Sequence, residues 1–251
     1  MKILIFDIKG TYAHFRKFYT TASPLTFAFP PRTALQGIIG AIIGYEKDKY
    51  MSLLKEAAIS ISLRKPIKKD RITINFINTK DAPMVRLTNT FAAYFLGLRK
   101  GPWHEPHTQI RLEVLKDVMY RVYFSCSQTK VIEILKEKLL KHHSVYTPYL
   151  GLANFLADFQ FIGEFEGKLR KGMGNYIEVI TPVRIDITEE ADFLLLEEGK
   201  IYLREKMPVQ LNENRIPEEY ASYLFEPNGK SLKVKLREYT EIKNIGNIVW
   251  M

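Results

Sequence analysis

What the chain has little of narrows its function first. Among 251 residues there is one cysteine, Cys126, so no internal disulfide can form, and no CxxC or Cys/His cluster with zinc spacing occurs. A cytoplasmic protein with no structural metal and no cofactor is expected. Long apolar runs are also missing: the most apolar stretch, residues 38–43, falls far short of the roughly 20 residues a membrane span needs. The opening MKILIFDIKG has no small-residue cleavage site and reads as a strand, not a signal peptide. Acidic charge is the third scarcity. Thirty-seven Lys and Arg stand against 28 Asp and Glu, a net charge of +9, and the acidic residues gather in residues 178–198. Such an excess favours an acidic partner such as nucleic acid, a solvated surface being the plain alternative. Glu189-Glu190 and Glu197-Glu198 are neighbours along the chain, hence not on one face, and read as turn residues rather than metal ligands.

What is present concentrates in residues 10–44, GTYAHFRKFYTTASPLTFAFPPRTALQGIIGAIIG. Tyr12, His14, Arg16 and Lys17 follow a buried strand over residues 2–8 and offer a ring and cationic or titratable groups to an anion that carries flat bases. Pro30 and Pro31 stop the extended run, Thr33 is placed to cap a helix over residues 33–43, and Gly37, Gly40 and Gly44 recur along it. Glycine costs a helix about 1 kcal/mol relative to alanine, so close approach to something is implied at Gly37 and Gly40, while Gly44 reads as the helix stop.

A helical piece is expected over residues 48–57. Residues 59–63 and 72–76 alternate as two strands of a hairpin, with Lys65, Lys68, Lys69 and Arg71 at and beside its tip. Residues 81–106 show no sustained period and carry Arg86, Asn89, Thr90, Arg99, Trp103 and His104, groups that pair with phosphate and stack on bases. A strand over residues 110–126, which includes Arg111, an amphipathic helix from Thr129, the turn YTPYLG and an apolar run over residues 155–165 follow. The order strand, helix, strand, inserted hairpin and loop, strand, helix, strand is that of an α+β, ferredoxin-like fold, the RNA-recognition-motif platform. The expected division is residues 1–167 as this domain, with the insertion at about 58–110, and residues 168–251 as a smaller β-rich domain. KGMGN at residues 171–175 lacks the Lys-Ser ending of a triphosphate loop and reads as the linker between them.

RNA can be cut without metal where a base takes the 2′-hydroxyl proton and cations stabilise the phosphorane. Tyr12, His14 and Tyr45 are the candidates for such work, with His104 and His107 further off. None has a spacing that demands catalysis, and a histidine in a basic protein serves equally as a phosphate or base ligand.

GTYAHFRKF with SPLTFAFPPRTALQGIIGAIIG resembles the N-terminal signature of the fifth CRISPR-associated protein family, and YTPYLGLANFLAD resembles a second motif of that family, the flavour being closest to type I-B members. The resemblance implies a subunit that caps one end of the Cascade surveillance complex in antiviral defence. Such a subunit holds the 5′ handle of the CRISPR RNA and contacts the large and backbone subunits, meeting target DNA only through the complex. Carried onto this chain, Tyr12, His14 and Arg16, and at the helix entry Arg32, Thr33 and Gln36, would face the handle, with Arg86, Trp103 and Arg111 on a thumb. Phosphates would meet Arg16, Lys17, Arg32, Lys65, Lys68, Lys69 and Arg71, and bases would stack on Tyr12, Phe15 and Trp103. One branch of the family, in type I-C systems, cuts precursor RNA with a tyrosine near the first helix and an adjacent Lys-His pair. Tyr45 matches the first loosely, but Lys141-His142 ends a helix, so binding without turnover is expected, with metal-independent cleavage as the alternative.

Overall fold

The computed structural model describes residues 1–20, 24–47, 49–77, 107–188, 192–212 and 214–251. Arg86, Trp103 and His104 lie outside the described residues. The first strand, β1 (Lys2–Ala13), is buried on both faces over most of its length, as its unbroken apolar run requires. It leads through a long connection to helix α1 (Arg32–Ile43), a one-turn helix α2 (Tyr50–Leu53) and strand β2 (Ala58–Leu63). Strands β3 (Lys69–Ile77) and β4 (His107–Ser125), helix α3 (Thr129–Leu140) and strand β5 (Asp158–Lys171) complete the first part. The remaining strands are β6 (Tyr176–Val179), β7 (Val183–Arg184), β8 (Leu194–Leu195), β9 (Leu203–Leu211), β10 (Pro217–Phe225), β11 (Leu232–Lys235), β12 (Glu238–Ile242) and β13 (Gly246–Ile248).

The protein is a mixed α/β molecule dominated by strands. Among the described residues ten strands form one sheet in the order β2-β4-β1-β5-β12-β13-β6-β11-β8, with β3 paired to β4, and three form a second, β7-β10-β9. At the centre, in the order β2, β4, β1 and β5, each strand is antiparallel to its neighbours, and α1 and α3 cover one face. Leu4, Phe6 and Ile8 of β1 point to the helices, meeting Leu35, Ile39 and Ile42 of α1 and Val131, Leu135 and Leu139 of α3. Ile3 and Ile5 point the other way, to Tyr123, Ile242 and Ile248.

Three local expectations change. The expected hairpin between residues 59–63 and 72–76 does not form, because the 19-residue β4 takes both strands: β2 pairs with its end (Ala58 opposite Ser125) and β3 with its beginning (Lys69 opposite Leu115). Helix α1 begins at Arg32, after Pro31, whose carbonyl accepts from the Ala34 and Leu35 amides, so Thr33 lies inside the first turn and is not the cap. Strand β5 runs through residues 167 and 168, pairing with β1 up to Glu166 and with β12 from Gly167, and KGMGN is the tight connection into β6. The expected boundary thus falls within a strand, and Met207, Tyr223 and Phe225 of the C-terminal part pack in the same apolar cluster as β1 and α1.

Candidate nucleic-acid interface

The connection after β1 turns back on itself. Arg16 bridges to Thr26, the Lys17 amide donates to the Leu25 carbonyl and the Phe27 amide to the Phe15 carbonyl, which pairs residues 14–20 with residues 24–27 as a small tongue. Two carboxylates hold it. Glu113 of β4 accepts from the Thr26 amide at 3.1 Å and from Lys69 Nζ at 3.0 Å, and Glu205 of β9 accepts from the Ala28 amide at 2.7 Å and pairs with Lys17.

This packing draws several expected RNA ligands inward. His14 is 3% exposed, and its Nδ1 lies 2.7 Å from the Glu113 carbonyl oxygen, which can only accept, so Nδ1 carries the hydrogen. Burial lowers its pKa, the Glu113 backbone contact working the other way. Phe15 is buried against Tyr120. Arg32 is 7% exposed, and its guanidinium donates to the carbonyls of Lys55 (2.6 Å), Ala57 (2.8 Å) and Val209 (3.3 Å) and to Gln210 Oε1 (3.0 Å). Burial pulls its pKa down. Gln36 is fully buried and donates to the Leu54 carbonyl. These four side chains tie α1 and the tongue to the rest of the molecule, and none of them presents a surface to a ligand. Lys17 is half-buried: burial lowers its pKa, but Glu205 and Tyr19 together hold it above the ordinary value.

Other expected residues do gather at the surface. In the β3–β4 ribbon, Lys69, Arg71 and Thr73 share one face with their partners Glu113 and Arg111. Lys68, just before β3, and Lys69, Arg71 and Arg111 within the ribbon are exposed, with Glu113 and the exposed Asp70 as the acidic residues beside them. Lys65 is exposed and paired with Asp117 at 2.8 Å, where β4 bends through a positive φ of 56°. Tyr12 is half-buried, stands opposite Lys116 across the β1–β4 pair and lies 5.9 Å from the Phe155 ring. Arg16, exposed, links this edge to the tongue. Lys116 escaped the sequence reading because only register places it beside Tyr12; Glu113 escaped because its role is set by the tongue's fold.

Thr33 and Tyr45 are elsewhere. Both line a groove of about 550 Å³ on the outer side of α1, with Tyr50, Tyr146, Tyr149 and Arg215. Gly40 makes room for Tyr50, whose Cβ would stand 2.8 Å from an added Cβ; a Cβ added at Gly37 would lie 3.5 Å from the Tyr50 hydroxyl. Gly44 ends the helix with φ of 98°, its amide donating to the Gly40 carbonyl. His142 is stacked on Phe159 at 4.9 Å with Asp158 3.2 Å away, and Lys141 pairs with Glu137, so the Lys-His neighbours serve the helix end. Among the described residues no group of three or more His, Cys, Asp or Glu side chains is arranged to hold a metal ion, and no helix is long and apolar enough to cross a membrane.

The two sequence motifs meet in space. The His14 amide donates to the Leu150 carbonyl at 3.0 Å, a Cβ on Gly151 would lie 1.9 Å from the His14 carbonyl oxygen, and one on Gly10 would lie 2.5 Å from Leu150 Cδ1. The end of β1 and the YTPYLG turn are therefore fitted backbone to backbone, which only glycine permits at Gly151 with its φ of 91°.

No curated protein sequence matches the chain. Among solved structures, one described as "CRISPR RNA-guided surveillance complex" is similar with a TM-score of 0.51 and 14% identity, covering 93% of this chain and 92% of that one. A CRISPR protein from Archaeoglobus fulgidus has a TM-score of 0.55 and 12% identity, with 96% of each chain covered. A chain of a Type III-B Cmr-beta complex bound to cognate target RNA and AMPPnP has a TM-score of 0.52 and 11% identity, covering 93% and 86%. These likenesses establish a shared fold. The family model described as "CRISPR-associated protein (Cas_Cas5)" matches residues 3–217, and the chain belongs to this CRISPR-associated Cas5 family.

Proposed function

We propose that this protein is a non-catalytic CRISPR RNA-binding subunit of a type I-B Cascade surveillance complex, acting in the cytoplasm. It holds the 5′ handle of the CRISPR RNA, contacts the large and backbone subunits, and meets target DNA through the assembled complex. The β2-β4-β1-β5 order with α1 and α3 on one face is read as a ferredoxin-like, RNA-recognition-motif platform. The observation that carries the reading is the cationic β3–β4 ribbon. Lys68, Lys69, Arg71 and Arg111 stand exposed on one edge of the platform, next to Tyr12 and Arg16, where single-stranded phosphates find charge and bases find a ring.

Binding without turnover is favoured by the places of His14 and of the Lys-His neighbours. His14 has its Nδ1–H committed to the Glu113 carbonyl inside the molecule, and Lys141 and His142 are engaged at the end of α3. Tyr45 lines the α1 groove. Incubation of the purified chain with an end-labelled repeat RNA in EDTA tests the assignment. The RNA is expected to be bound and recovered at full length; one sharp cleavage product that disappears with Tyr45→Phe would instead establish the endoribonuclease alternative.

A further inference from the structure

The tip of the tongue exposes rings that the core has no use for. Phe18 is 50% exposed, Tyr19 58% and Tyr220, reached from β10, 37%. Their centroids lie 5.1 Å apart for Phe18–Tyr19 and 4.8 Å for Phe18–Tyr220, a cluster that joins the N-terminal tongue to the C-terminal three-stranded sheet. Cations accompany the rings: Lys206 Nζ lies 5.4 Å from the Tyr220 centroid and Lys17 Nζ 5.9 Å from that of Tyr19, with Arg16 exposed nearby. The acidic groups around them are largely spent. Glu205 is paired with Lys17 and the Ala28 amide, Glu219 with Arg184, and Glu218 is left exposed. Exposed rings interleaved with cations have the chemistry of single-strand nucleic-acid binding, and the lysine beside Tyr220 is a residue that protein contacts disfavour. It is also joined to the cationic ribbon, since Glu113 bonds Lys69 on one side and the tongue's Thr26 on the other.

We propose that Phe18, Tyr19 and Tyr220, with Lys206, form a stacking site that takes an unpaired nucleobase of the RNA and its phosphate. The site rests on the RNA-binding reading above and extends it to a second, C-terminal surface. An unpaired base lies on the Phe18 or Tyr220 face, and Lys206 neutralises the neighbouring phosphate. Because every base has a flat face, the site is tolerant of sequence and adds affinity, not selectivity.

The test is fluorescence anisotropy of the full chain with a short fluorescein-labelled oligoadenylate across a NaCl series. Phe18→Leu and Tyr220→Leu should each weaken binding about 5- to 150-fold, the range that loss of one stacked base implies, without altering the slope of log affinity against log salt. Phe18→Trp should preserve affinity, and its indole emission should be quenched by the RNA beyond the background of Trp103 and Trp250; this variant decides the matter if a leucine variant fails to fold. Wild-type affinity in both leucine variants, or an unquenched Phe18→Trp, overturns the stacking site and leaves the ribbon reading standing. Leucine variants that keep RNA affinity but no longer join a reconstituted complex would make the patch a protein-docking surface and equally overturn it. A wild-type chain that ignores RNA at every salt concentration overturns both.

Discussion

His14 sits where two sequence motifs, the tongue and the ribbon meet, and it does so as a neutral, buried donor. Its folded pKa is depressed, so the unfolded chain binds the proton first: stability is full above the ordinary histidine value and declines as pH falls below it. Thermal melts between neutral pH and the onset of carboxylate titration should therefore show a fall in stability, by at most about 1.4 kcal/mol per pH unit from one site, and His14→Asn, which keeps a donor toward Glu113 without the proton equilibrium, should flatten it. Arg32 belongs to the same class of inward-turned cation. Its four acceptors include three backbone carbonyls from two separate segments, so Arg32→Met should cost about 3 kcal/mol or more in denaturant unfolding, and Arg32→Lys, which lacks the forked donors, should recover little of it. RNA affinity measured per folded molecule should be unchanged in both. Tyr12, Arg16, Lys68, Arg71 and Arg111 differ from these only in where register and the tongue leave them, and nothing in composition separates an arginine that carries a helix from one that meets a phosphate.

At the scale of elements, α1 carries the sharpest contrast. Its two interior glycines differ by the space an added methyl would find: contact of 3.5 Å at Gly37 but 2.8 Å at Gly40, against the Cβ of Tyr50. Gly37→Ala should therefore be neutral or stabilising by up to about 1 kcal/mol through helix propensity, while Gly40→Ala should destabilise, a difference that paired thermal melts will resolve. That one glycine makes room for packing and the other need not was invisible in the repeated spacing, because it depends on a residue, Tyr50, contributed by a different element. The alternating apolar positions did disclose β1, β2, β3, α3 and most of β4. They did not disclose partners: β4 is long enough to serve both β2 and β3, and length alone decides that the basic segment forms a ribbon with β4. Strand β10 went unread since Glu218, Glu219 and Tyr220 give its first half the look of a solvated turn, although Tyr223 and Phe225 lie in the core.

For the molecule as a whole, one continuous sheet joins the N-terminal platform to the C-terminal strands through β5, and the tongue is clamped between Glu113 on one side and Glu205 on the other. The ribbon on the Glu113 side and the β9–β10 strands on the Glu205 side are thereby both tied to the tongue. The most direct test of the central claim is the salt dependence of RNA affinity for the purified full chain against a variant with Lys68, Arg71 and Arg111 each changed to Gln. These three are exposed and, unlike Lys65 and Lys69, hold no ion pair within the described residues. The account predicts that log affinity for single-stranded RNA falls linearly with log salt in the wild type and that the variant's slope is shallower by about 2, three lost phosphate contacts at roughly 0.7 each. Equal slopes in the two proteins would contradict it.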